Sequence, residues 1–379
     1  METRVAAVSS PDVNDPSPAA SGPADREVRY EHSRNIAPLL SRLRASLLVS
    51  TYQAGKLVVV GARQDTLSLA FHNFERPMGV AAKRGSIAVA GRNQVWFLRN
   101  KPDIAPRLDP AGTFDACYLT QSSQMTGQIQ AHEMGWAGEE LWVVNTLFSC
   151  LSTLHPNYSF VPRWRPPFIS SLAPEDRCHL NGLAMAEGKP KYVTAMSETD
   201  TAAGWRPNKA KTGCLIDVDS GRTVARGFAM PHSPRVHRGK VWLLDSGRGQ
   251  LVRVDPADGR AETVAQLPGY TRGLAFCDQL ALIGLSRIRE TSTFGGVPIA
   301  EDREKLKCGV AVVDLETGRT VATLEFKSGV EEIFDVGVLP GARSVAMRGP
   351  YSAVDGEPTI WAVPEPGREV PKLRGAPGT

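Results

Sequence analysis

One hairpin turn is written three times in this chain. Asp217-Val218-Asp219-Ser220-Gly221-Arg222, Asp255-Pro256-Ala257-Asp258-Gly259-Arg260 and Asp314-Leu315-Glu316-Thr317-Gly318-Arg319 share an aspartate able to bond backbone amides and a glycine that supplies positive φ. Each turn follows a strand-length apolar run: CLIDV (214–218), LVRVD (251–255) and VAVVD (310–314). Similar runs occur at LVVVG (57–61), VWFLR (95–99), LSTLH (151–155) and TIWAV (359–363). A second set precedes them: LLVST (47–51), IAVAGR (87–92), LWVVNT (141–146), KYVTAMS (191–197), VWLLDSG (241–247), LALIGLS (280–286) and SVAMRG (344–349). The runs are too short for helices and rich in residues that suit a pleated surface. One amphipathic helix is legible, at 36–45 (IAPLLSRLRA).

Four-stranded units repeating at roughly 40–60 residues, almost free of helix, predict a single all-β propeller. Seven second strands and seven third strands favour seven blades, closed by joining the C-terminal strands (333–339, 344–349, 359–363) to an N-terminal strand near Glu27–His32. Only six first strands are clear, so six blades is the runner-up. Residues 1–26 and 363–379 are Pro-rich and poor in apolar surface, which predicts disordered tails around a propeller at 27–362.

The first strands align on Gly79, Gly135, Gly182, Arg235, Gly273 and Asp335. Three residues upstream the column reads Arg76, His132, His179, His232, Tyr270 and Glu332; one residue upstream it contains Asn181 and Arg272. Innermost strands line a propeller's channel, so these residues should ring one mouth. The second strands end at the same face, with Glu198, Asp245 and Arg287 among their terminal residues. Convergent polar groups in a concave site make this the expected binding site for a small molecule or peptide.

Three of the seven histidines fall in that one column. His132, His179 and His232 are therefore candidate ligands for one divalent ion, Zn²⁺ or similar. Glu332 or Tyr270 would move a proton, and Arg76 and Arg272 would hold an anion. Asn181, Arg235, Glu198, Asp245 and Arg287 complete the expected substrate contacts. A lyase, isomerase or hydrolase acting on a small anionic or peptidic substrate fits this set; a non-catalytic peptide- or protein-binding scaffold is the alternative. Trp164 and Trp205 lie in irregular stretches that fit either a lid over the mouth or a blade edge. Cys178 beside His179 reads as a small buried hydrophobe, since adjacent strand residues face opposite ways.

Composition narrows the partners. Forty-four Lys and Arg against 40 Asp and Glu give a net charge of +4 with no basic block, so nucleic acid is not expected. No apolar run is long enough to span a membrane, and the N-terminus lacks the apolar core of a secretory signal, so a cytoplasmic location is expected. Six cysteines without CxxC spacing point to neither a zinc knuckle nor a disulfide scaffold.

Several long strings also carry a resemblance: SLLVSTYQAGKL (46–57), NTLFSCL (145–151), DRCHLNGLA (176–184), PHSPR (231–235), TRGLAF (271–276) and EEIFDV (331–336). Over about 30–345 the chain resembles a bacterial family of conserved hypothetical proteins with a domain of unknown function. The resemblance implies a propeller-like fold and brings no established activity. In setting histidines around a channel with an Arg and a Tyr beside them, the mouth is similar to the peptidyl-hydroxyglycine lyases, where Arg76 and Tyr270 would play those parts. The gluconolactonase-like hydrolases are similar through Glu332, Asn181 and Asp245, but the histidine column departs from their pattern. Both analogies rest on fold and ring position.

Overall fold

The computed structural model describes residues 27–63, 65–287 and 295–364. Among the described residues six sheets, antiparallel but for one added edge strand, stand around one axis, and their inner strands touch in a closed ring. Blade 2 begins at Val80–Lys83, blade 3 at Ala131–Ala137, blade 4 at Leu180–Ala186, blade 5 at Pro231–His237 and blade 6 at Tyr270–Cys277. The inner strand of blade 1 comes from the other end of the chain. Asp335–Pro340 pairs antiparallel with Ala45–Thr51, so N- and C-terminal segments share one sheet.

The seventh blade expected from sequence is not formed. Two of its expected pieces are additions to existing blades. Tyr30–His32 pairs with Thr320–Phe326 as a fifth strand of blade 6, and Val345–Arg348 lies parallel to Ala116–Met125 as a fifth strand of blade 2. Residues 359–363 form no strand. A short β-rich run signals a strand but not its sheet, and SVAMRG served an outer edge instead of an inner repeat. Of the disordered tails expected at 1–26 and 363–379, residues 1–26 and 365–379 lie outside the described residues. No described helix is long and apolar enough to cross a membrane.

The repeated turns behave as their residues dictate. Gly221, Gly259 and Gly318 take φ of 67, 75 and 68°, and Asp217 Oδ1, Asp255 Oδ1 and Asp314 Oδ1 each accept a backbone N–H. The helix forms at Ile36–Leu43 and buries Ile36, Ala37, Leu39 and Leu40 in the core between blades 6 and 1. It therefore plugs the seam where the two chain ends meet.

The glycine column has a steric cause. A Cβ at Gly182 would lie 2.3 Å from Pro234 of the next blade, and one at Gly273 would lie 2.4 Å from the backbone N of Val336. Inner strands approach too closely there for a side chain. Leu339 of the closing strand is 2% exposed and packs into the core between blades 1 and 2. Leu339→Ala should therefore cost about 2–5 kcal/mol in denaturant unfolding, whereas Trp361→Ala, at a residue 80% exposed, should stay within about 0.5 kcal/mol of wild type. A small effect at Leu339 would mean that this pairing does not hold the ring.

Candidate functional site

Three inner strands place His132, His179 and His232 at the same mouth, and the acceptors around each ring decide its tautomer. His132 Nδ1 lies 3.0 Å from Gln130 O, and His232 Nδ1 lies 2.9 Å from Met230 O. A carbonyl can only accept, so both rings carry their proton on Nδ1 when neutral. Thr146 Oγ1 donates to Leu180 O and so receives His132 Nδ1–H at 2.8 Å; Ser246 Oγ sits 3.0 Å from His232 Nδ1 in the corresponding place. His179 Nδ1 is 2.9 Å from both carboxylate oxygens of Asp176, and the Trp205 indole N–H donates to the same carboxylate at 3.0 Å. All three histidines thus spend Nδ1 on the protein. None of the three Nε2 atoms is bonded by a described protein group.

The rings form a connected cluster. His132 and His179 meet edge to face with centroids 4.8 Å apart, and His179 lies 4.3 Å from the Trp205 ring. Phe334 stands 5.2 Å from His132 and carries the Arg272 guanidinium over its face at 3.4 Å. Arg272 is 5% exposed and reaches Glu332 at 3.5 Å. Burial, then the neighbouring His179 and Arg272, push His132 well below the usual histidine range; burial and Arg272 do the same to His232. Burial also drives the Tyr270 phenol far upward, and its hydroxyl lies 3.5 Å from His232 Nδ1. His132, His232, Arg272, Asn181 and Phe334 help line a cavity of about 10 Å³, room for about one water. Asn181 Oδ1 accepts from Thr194, while its Nδ2 is buried without a hydrogen-bond partner.

A second charged layer, Glu133 and Asp335, borders the same cavity. Glu133 accepts from Leu183 N at 2.5 Å and meets Arg235 at 2.6 Å, while Asp335 accepts from Val80 N at 2.8 Å. Burial raises both carboxyls; Glu133 adds to the effect on Asp335 and pushes it up to about 7.

The expected residues sort into three groups. His132, His179, His232, Asn181, Tyr270, Arg272 and Glu332 come together as anticipated. Arg76 is exposed at the rim, 5.8 Å from the Tyr52 ring that packs on Phe334. The others serve elsewhere. Arg235 is consumed by Glu133 and by the carbonyls of Leu274, Leu183 and Pro234, tying four blades. Asp245 accepts from Ala229 N and pairs with Arg248; Glu198 pairs with Arg226 on the outer strand of its own blade. Arg287 bonds Phe326 O and borders a separate cleft of about 550 Å³. As metal ligands the three histidines do not converge: their ring nitrogens do not all lie within 4.8 Å of one another.

Trp205 resolves one open choice. It is 1% exposed and packs with Met196, Met230, Tyr270, Val297 and Leu306, so loops from blades 4 and 6 cover the histidines from above. Trp164 ends the outer strand of blade 3 instead. Cys178 is fully buried and its thiol is pushed to about 12 by that burial, as a core residue should be. Asp176, Glu133 and Asp335 went unnoticed as site residues; only Asp176, three residues before His179, carried a local signal.

Among solved structures, a β-propeller in the crystal structure of a nidogen/laminin complex is similar to 78% of this chain and matches over 99% of its own length, with a TM-score of 0.52 and 10% identity, which speaks to the fold alone. No curated protein matches the chain. The model of a family described as a domain of unknown function (DUF4915) matches residues 34–347, nearly all of the propeller; the chain belongs to that family.

Proposed function

We propose that the capped mouth, whose cavity of about 10 Å³ holds about one water in this closed form, opens to take a small anionic substrate and moves one of its protons, in the manner of a lyase, isomerase or hydrolase. The observation that carries this reading is the Asp176–His179 pair, with Nε2 left open and a buried guanidinium nearby. A carboxylate that holds Nδ1–H fixes the ring and stabilises the imidazolium formed when Nε2 takes a proton. Trp205 holds Asp176 in turn. Arg272 pairs with the substrate's anionic group, sharing it with Glu332, and Asn181 Nδ2 supplies a further donor. Tyr270, kept as a phenol by burial, is suited to donate a hydrogen bond to the substrate and not to act as a base. His132 and His232, held neutral, offer lone pairs to hydroxyl or amino N–H groups of the ligand.

A divalent ion at the three Nε2 atoms is the second reading. Its support is that each Nδ1–H is anchored on oxygen, the outer-shell arrangement that orients metal-ligating histidines. The rings would need to close in to share it. A peptide or protein partner is disfavoured because the Trp205 and 297–306 loops narrow the mouth.

A panel of small carboxylates and phosphate esters, screened by thermal shift at neutral pH, should yield stabilising compounds whose effect is lost in Arg272→Lys. Those compounds should exchange a carbon-bound proton or turn over in D₂O, and His179→Gln should slow that step by about 10²–10⁴-fold. Stabilisation without exchange in the wild type would leave only a binding scaffold. Metal content of untagged protein decides the second reading, which requires an equivalent that disappears in His179→Ala.

Acid should loosen the mouth. A histidine whose folded pKa is depressed contributes fully above the unfolded value of about 6.5 and progressively less as pH falls below it. The gap in denaturant midpoint between wild type and His232→Asn should therefore be widest at pH 7.5 and narrow toward pH 5. A constant gap would show that His232 is not held neutral.

A further inference from the structure

Away from the channel, the outer edge of blade 1 holds a histidine with no use in the fold. His72 lies in Thr66–Asn73, is 1% exposed, and neither ring nitrogen has a hydrogen-bond partner. Two carboxylates from the segment after Val345–Arg348 face it. Asp355 Oδ2 is 3.9 Å and Glu357 Oε2 is 3.6 Å from His72 Nδ1, and both oxygens are buried without hydrogen bonds.

The other oxygen of each carboxylate is committed. Asp355 Oδ1 accepts from Asn73 N at 2.9 Å and Asn73 Nδ2 at 2.5 Å; Glu357 Oε1 accepts from Arg348 at 3.2 Å. Each group is therefore held by one oxygen and leaves one unused. An imidazolium ion pair explains this poorly. Both separations exceed hydrogen-bond length, two acidic oxygens would share one N–H, and Nε2–H would remain a buried orphan donor.

We propose that His72, Asp355 and Glu357 bind a divalent first-row transition ion, Zn²⁺ being the best fit to one imidazole nitrogen and two carboxylate oxygens. Among the described residues this is the one group of three His, Cys, Asp or Glu side chains whose ligand atoms all lie within 4.8 Å. Tetrahedral zinc with bonds of about 2.0–2.1 Å sets its ligand atoms about 3.3 Å apart, and the two carboxylate oxygens stand close to that spacing, 3.6 and 3.9 Å from His72 Nδ1. Glu357, whose side chain is 25% exposed, leaves the fourth position open to water. The ion would clip residues 355–357, which follow the fifth strand of blade 2, onto the outer strand of blade 1. It acts as a staple across two blades and is independent of the channel chemistry.

The test uses full-length, untagged protein stripped with chelator and titrated with ZnSO₄ by calorimetry, with unfolding temperature read in parallel. One equivalent should bind at this site and raise the unfolding temperature. Asp355→Asn and Glu357→Gln should each weaken binding at least tenfold, while His179→Ala leaves this equivalent in place. Glu357→Gln sits on a partly exposed side chain and should fold without metal, which keeps the test open if His72 variants do not. Zn²⁺ binding unchanged in both carboxylate variants, or no binding by the wild type, would overturn the proposal.

Discussion

Pairing of Asp335–Pro340 with Ala45–Thr51 is the contact on which the ring depends. Each of the other five inner strands is joined to its own blade by a short turn, so its sheet can form locally. Blade 1 cannot: its inner strand lies nearly 300 residues from its second strand. The same closure builds the site. It sets Phe334 N on Ser50 O at 2.8 Å, which brings the Phe334 ring beneath Arg272, and it carries Asp335 to Val80 of the next blade. A chain that failed to close would lose the seat of the Arg272 guanidinium together with its fold.

The two charged layers of the channel respond to pH in opposite senses. At the throat, Glu133 and Asp335 share one guanidinium, that of Arg235, and both are sealed from solvent. Burial raises both carboxyls; Arg235 contacts Glu133 directly, and Glu133 raises Asp335 further. A folded pKa raised from 3.8 to about 7 contributes stability that is complete at the acid end and is lost as pH rises through about 7. The mouth histidines behave the other way, losing their contribution as pH falls below about 6.5. Between these limits the throat and the mouth offset each other, so whole-protein stability reports neither layer alone. Differences between wild type and single variants are needed to read them.

Most of the architecture was legible because it is written locally. Period-2 apolar runs, Asp-to-Gly turns and glycines at the inner-strand register all depend on neighbours close in sequence, and the inner three strands of blades 2–6 could be read, though not their outer strands. Blade number was not legible, because SVAMRG and an N-terminal strand look like repeats and only tertiary context assigns them to outer edges. The site divides in the same way. Histidines at the same place in successive blades stand out as a column, whereas Arg235 and Asp335 share the register of the glycines and give no sign that they cross the channel. Asp245 and Glu198 occupy strand ends as expected but are satisfied within their own blades. His72 was invisible for the plainest reason: its partners lie more than 280 residues away and belong to no repeat.

The mouth constrains its ligand through what it lacks. With Nδ1–H spent on carbonyl, hydroxyl or carboxylate oxygens, each of the three imidazoles meets a ligand only as an acceptor while it is neutral. Arg272 and Asn181 meet it only as donors. A simple inorganic anion would satisfy the second pair and leave three lone pairs without protons, in a site where burial makes unpaired polar groups expensive. A bare cation would do the reverse, against a fixed guanidinium. The complementary ligand carries an anionic group at one end and hydroxyl or amino N–H groups at the other, and is small enough to pass beneath Trp205. Such a molecule is the one the proposed acid–base reading calls for, with the carboxylate-backed imidazole of the Asp176–His179 pair as its proton acceptor.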